Sequence, residues 1–216
     1  MKIMHLIVGM FFVLLSINAR ADIVGITQAE FYPHYVTQKT PLWCWAASAQ
    51  MVLSWQGLKL KQEEIILRAT GKLGGAGSFV DIINTVNGKF NVPPNNLLVS
   101  GQYVQGAPFP TVLYNQLRQK KPVILTYQSP GGGIGHAIVV TAIDATITTD
   151  SVLVNKLYVF DPFAYDVMPG PGYGASTLVY NPMQINKVYD LNVGPGGIWI
   201  NPGLITGVLL VDATKL

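Results

Sequence analysis

Partway along this 216-residue chain the apolar residues change period, and that change constrains the fold more than any other feature. Up to about residue 119 the apolar positions recur at helical spacing. Residues 43–55 form an almost wholly apolar helix in which Ala46, Ala47, Ala49, Met51, Val52 and Leu53 leave hardly any polar face, so the helix must be buried. Residues 62–69 turn Ile65, Ile66 and Ala69 to one side and stop at Gly71. Val80, Ile83 and Val86 predict a third helix ending at Gly88, and Val112, Leu113 and Leu117 a fourth over 111–119. Beyond it, residues 122–127, 136–143, 153–160 and 207–211 are runs rich in β-branched and aromatic residues bounded by turn formers, and they read as strands. Helices first and strands second predict an α+β domain. Its helical N-terminal half packs against a C-terminal antiparallel β-sheet and leaves a cleft between the two. Residues 22–40 read as an arm without clear periodicity and 91–110 as irregular; 163–176 and 192–203 read as loops that would wall the cleft.

Residues 1–21 read as a secretory signal, with Lys2 at the charged start, an apolar run over 6–15 and Ala19-Arg20-Ala21 as the cleavage site. The run of about ten residues is too short for the roughly 20 that span a bilayer, so no stable membrane anchor is expected after cleavage. The mature chain, 22–216, is then one domain, secreted or periplasmic, with no internal repeat. The formal charge of +3 falls by two when Lys2 and Arg20 leave, so the mature protein is nearly neutral. Its basic residues are scattered, with no patch of interleaved aromatics, and nucleic acid is not an expected partner. Nothing in the sequence calls for a metal or a cofactor, and nothing in it fixes the oligomeric state.

The chain has one cysteine, Cys44, and so cannot form an internal disulfide. Cys44 lies in the first turn of the apolar helix, where unpaired backbone N–H groups and the positive end of the helix dipole favour an anionic sulfur. The bland alternative is a small buried core residue. A cysteine nucleophile needs a base and a group that orients the base. Of the two histidines beyond the signal, His136 opens an apolar strand directly after the glycine-rich 131–135, a place for a rigidly held base beside a close-passing substrate. His34, in the arm, reads as an exposed competitor. Asp161 ends the strand 157–160 ahead of Pro162, near the neighbouring strand that carries His136; its bland reading is a turn initiator. Asp144 is a weaker candidate, about 25 Å along the strand from His136.

Gln38, then Cys44-Trp45-Ala46-Ala47, then Gly135-His136 and an apolar strand, then Asp161-Pro162 together resemble the papain-like cysteine peptidases. Leu42-Trp43 stands where the papain signature has Gly-Ser or Gly-Ala. The interval from Cys44 to His136 is shorter than the roughly 130–150 residues of papain. The pattern is similar to the compact bacterial branch, which includes exported effector peptidases of plant pathogens and bacteriocin leader peptidases. The resemblance implies a papain-like fold and a thiol endopeptidase acting on protein or peptide substrates. It also implies Cys44 as nucleophile, His136 as acid and base, Asp161 as orienter of His136, and Gln38 as oxyanion donor. Two rival readings stand beside it. One is a peptidoglycan amidase or transamidase with the same triad, although the Asp-Cys-Ser-Gly of such enzymes is absent. The other is a non-catalytic binding module on the same fold.

Overall fold

The computed structural model describes residues 20–92, 95–128, 135–163, 175–181, 187–194 and 197–216. Most of the expected signal, the glycines at 131–133 and most of the expected 163–176 loop lie outside the described residues. In chain order the elements are β1 (Arg20–Gly25), α1 (Gln28–Phe31), α2 (Cys44–Trp55), α3 (Gln62–Thr70), α4 (Phe79–Val86), β2 (Gly88–Val92) and β3 (Asn95–Gln105). They continue as α5 (Pro110–Arg118), β4 (Val123–Gln128), β5 (His136–Ile147), β6 (Val152–Phe160), β7 (Ala175–Asn181), β8 (Lys187–Gly194) and β9 (Gly197–Lys215). Among the described residues no helix is long and apolar enough to cross a membrane.

The expected helices form where their patterns place them, each for a local reason. In α2 the residues from Cys44 to Ala49, together with Met51, Val52 and Leu53, are buried, so the helix runs through the core. Its N-cap, Trp43, makes no side-chain cap bond, which leaves the first-turn N–H groups around Cys44 without a capping side chain. α3 ends at Gly71, whose φ of 74° is the left-handed C-terminal stop that glycine adopts without strain. α4 begins with a reciprocal capping box between Ser78 and Asp81.

The strands are antiparallel throughout, and their pairing closes on itself. β4 pairs β5, and pairing then runs through β6, β7, β8 and β9 back to β4. β1 lengthens this closed sheet along β5, and β3 followed by β2 extends it from β9. The central strands read as continuous apolar runs because both of their faces are covered. Ile124, Ala137, Val139 and Leu209 face the core that holds α2, whereas Val123, Leu125, Ile138, Val140 and Val208 face a second core closed by Leu113 and Leu117 of α5.

Four expectations need correction. The arm 22–40 contains strand β1, the single-turn α1 and a short 3-10 turn over Tyr32–His34. β1 was hidden because Ile23 is exposed on its outer side and register against β5, not its own pattern, holds it. Residues 91–110, read as irregular, carry all of β3 and the end of β2. Their Pro, Asn and Gly punctuation masks an alternation in which Leu97 and Val99 are buried and Leu98 is exposed. The 192–203 loop is instead the end of β8 and the start of β9, paired residue for residue from Gly194↔Gly197 to Val188↔Gly203. His34 is part-buried, with its ring against Phe31 and Trp55 and its Nδ1 bonded to Ser54 Oγ at 2.9 Å.

The two halves meet at α2 and β5. Ser48, fully buried on α2, donates its hydroxyl to the Ala137 carbonyl of β5 at 3.0 Å. Tyr35 of the arm ties to the Asp161 carbonyl just after β6, and Gln62 of α3 ties to the arm at Thr37. Ser48→Ala is therefore expected to lower unfolding free energy by about 1 kcal/mol, measured by urea denaturation. An unchanged midpoint would show that the hydroxyl adds nothing to the junction.

Candidate active site

β5 and β6 are registered so that Val139 lies opposite Phe160, which brings the residue after β6 beside the residue that opens β5. These residues are Asp161 and His136. The His136 Nε2 lies 2.8 Å from Asp161 Oδ1. The same carboxylate oxygen accepts the Phe163 backbone N–H at 2.7 Å, and the Tyr35 hydroxyl donates to the Asp161 carbonyl at 2.9 Å, so side chain and backbone of Asp161 are both held. The Cys44 side chain is the other group that acts on the imidazole, through both hydrogen bonding and charge. Cys44 itself is 7% exposed.

The imidazole is walled by two aromatic edges, Tyr127 with a ring centroid at 5.6 Å and Phe163 at 6.1 Å, both near-perpendicular to it. Tyr127 is fixed directly opposite His136 in the β4–β5 register. Burial by these walls disfavours a charged ring, but the hydrogen bonds and charges of Asp161 and Cys44 outweigh burial and push the His136 pKa up to about 10. His136 is thus an imidazolium at neutral pH.

Gln38 is buried, and three bonds locate it beside the same groups. Its backbone N–H donates to Pro162 O at 2.9 Å, next to Asp161. Its side-chain Nε2 donates to Thr40 O at 2.8 Å. That carbonyl also accepts the N–H of Trp43, the residue immediately before Cys44, at 3.1 Å. The Gln38 amide is therefore tied to the loop that launches α2. The structure thus gathers Cys44, His136, Asp161 and Gln38 at one end of the sheet and leaves two other candidates out. His34 bonds Ser54 instead, and Asp144 sits within β5, bonded by Asn155 at 3.3 Å.

A cavity of about 570 Å³ opens beside Cys44. Leu42, Phe79, Ile82 and Ile83 give it an apolar wall, while Tyr103 and Thr206 line it from the sheet. Gly77 lies against the Trp45 ring, where a Cβ would come within 2.5 Å, so only glycine lets the 72–78 loop close this edge of the cavity. Sequence reasoning missed Tyr103, Thr126 and Thr206, whose hydroxyls form one connected set. They come from three separate strands, and no local pattern unites them. Among the described residues no group of three His, Cys, Asp or Glu side chains is placed to hold a metal ion.

Because His136 titrates higher in the folded protein than the roughly 6.5 of an unfolded chain, its protonation stabilises the fold fully below about pH 6.5. That contribution is lost as the pH rises through about 10. Removing the Asp161 charge should lower the midpoint. An NMR titration of the His136 ring in Asp161→Asn is expected to move well below the wild-type value, and identical midpoints would detach Asp161 from the histidine.

A comparison with curated proteins gave no match. Among family models, one described as papain-like cysteine protease AvrRpt2 matches residues 27–166, a span that holds all four residues gathered at the site and more than half of the chain. The α+β architecture, with its cysteine on a buried helix packed against an antiparallel sheet, is the papain-like arrangement, and a peptidase of this kind acts on proteins. The chain belongs to the papain-like cysteine protease AvrRpt2 family and is a cysteine peptidase.

Proposed function

We propose that the protein is an exported cysteine endopeptidase in which Cys44 is the nucleophile, His136 the acid and base, Asp161 the orienter of His136, and Gln38 an oxyanion donor. The observation that carries this reading is His136 held between Cys44 on one side and Asp161 on the other. An imidazolium facing the sulfur at neutral pH is the state a thiol peptidase needs before substrate arrives.

The sulfur attacks the scissile carbonyl carbon, and the negative charge moves to the carbonyl oxygen. The Cys44 backbone N–H, uncapped at the start of α2, and the Gln38 amide receive that oxygen; one Gln38 N–H is committed to Thr40, which fixes the plane of the amide and leaves the other for the substrate. His136 then gives a ring proton to the leaving nitrogen as the C–N bond breaks, leaving a thioester on Cys44. Water attacks the thioester, His136 takes its proton, and cleavage of the C–S bond releases the acid and restores the ion pair. The apolar wall beside Cys44 suits one apolar substrate side chain. Export rests on the signal-like residues 1–21 and places the enzyme outside the cytoplasm, secreted or periplasmic, in a bacterium.

Purified residues 22–216 are expected to cleave casein and to be labelled at Cys44 by an irreversible epoxide thiol inhibitor, with both lost in Cys44→Ala. The absence of both cleavage and labelling would end the peptidase reading. Gln38→Ala should lower kcat by about 10² to 10³-fold with KM little changed. A matching rise in KM alone would mean that Gln38 binds substrate without stabilising the oxyanion. Expression of the full chain in a bacterial host is expected to yield a protein outside the cytoplasm whose N-terminal residue is Asp22; an intact Met1 on a cytoplasmic product would contradict export.

A further inference from the structure

Gln62, the first residue of α3, is 2% exposed, although the start of a surface helix is a place where glutamine is ordinarily solvated. Burying an amide costs free energy unless its polar atoms find partners, and here they do. The Gln62 Nε2 donates to Thr37 O at 2.9 Å and to Gln50 Oε1 at 3.1 Å, and its Oε1 accepts the Lys39 N–H at 3.0 Å. Two of these bonds go to the backbone groups on either side of Gln38, and the third goes to α2, the helix that begins with Cys44.

We infer that Gln62 is a positioning residue for the oxyanion site, setting the Gln38 amide in register with the Cys44 backbone N–H. This rests on the peptidase reading and on Gln38 as oxyanion donor. The two donors come from segments with no shared secondary structure: Gln38 lies in the irregular stretch between the 3-10 turn and α2, and the Cys44 N–H belongs to α2. An oxyanion site works only if both donors stand within a few tenths of an ångström of where the charge develops. The Gln38 backbone N–H is fixed to Pro162, which locates the arm relative to the Asp161 side of the cleft. Gln62 supplies the complementary reference, because it grips residues 37 and 39 while its own amide is oriented by Gln50 of α2. The chain of bonds thus runs from the Cys44 helix through Gln50 and Gln62 to the backbone flanking Gln38. The neighbouring ion pair, Lys39 to Glu63 at 2.6 Å, is solvent-facing and holds the arm's periphery without fixing its register.

The test uses Gln62→Met, which keeps the side chain's length and removes all three bonds. With a fluorogenic peptide amide as substrate, kcat is expected to fall roughly tenfold to 10²-fold while KM is unchanged. Alkylation of Cys44 by iodoacetamide, which needs no oxyanion site, should keep its wild-type rate, and the Lys39 amide should lose its protection from hydrogen exchange. In a Gln38→Ala background the same substitution should lower kcat no further, because Gln62 acts through Gln38. Should Gln62→Met fail to fold, Gln50→Ala removes only the bond that orients the Gln62 amide and is expected to give a smaller fall with the same pattern. Wild-type kcat despite lost Lys39 protection, or a fall that adds in full to that of Gln38→Ala, overturns the positioning role alone. A wild-type protein that cleaves no peptide defeats the peptidase reading first and the positioning role with it, and that result is visible before any variant is made.

Discussion

Because β5 is buried on both faces, it cannot slide by one residue without turning the side chains of one core into the other, and His136 at its first position inherits that rigidity. The register with β6 then leaves no choice about what lies next to His136, since Asp161 follows the last residue of that strand. The register with β4 sets Tyr127 against the other flank of the ring. From the opposite side α2 brings Cys44, pinned to β5 through Ser48 and the Ala137 carbonyl. The geometry of this cluster is in this sense a by-product of packing: the strand that belongs to both cores is also the strand that aims the histidine.

The electrostatics follow from that placement. An imidazole with a side chain only 21% exposed would ordinarily be kept neutral by loss of solvation. Here two partners, Asp161 and Cys44, reverse the outcome and hold it charged. Asp161 can do this because its own surroundings are fixed, with its carboxylate bonded by the Phe163 N–H and its carbonyl by Tyr35. Tyr127 and Phe163 stand near-perpendicular to the imidazole and cover part of its surface. Gln38 belongs to a different tier of support, since it is placed by backbone and amide bonds in a stretch that is itself neither strand nor helix.

Legibility in the sequence followed the strength of local signals. α2 to α5 were readable from apolar spacing and from Gly71 as a helix stop. β4 and β5 were readable because doubly buried strands are dense in β-branched residues, and β6 because its run of β-branched and aromatic residues is bounded by turn formers. β1 and β3 were not, because each is held by register against a partner far away in sequence, and β2 and β8 were not, because their glycines and asparagines read as loop. Where β3 does alternate, Asn95, Asn96 and Gly101 give it the composition of a loop. At the site, Cys44, His136, Asp161 and Gln38 stood out by residue type and order. The wall residues Tyr103, Thr126 and Thr206, and the buried Gln62, carried no such mark.

The sequence by itself determined the kinds of element, the order in which the chemical groups arrive along the chain, and the resemblance that links them to a thiol peptidase. Those properties are local: helical spacing, β-branched density and a cysteine between two tryptophans need only neighbouring residues to be recognised. The tertiary structure alone decided that the strands close into a continuous ring, that three N-terminal strands join a sheet expected from the C-terminal half, and that Gln62 reaches back to bracket Gln38. Each of these depends on pairing between residues distant in the chain, where the free energy comes from satisfying buried backbone and amide groups that no local pattern reveals.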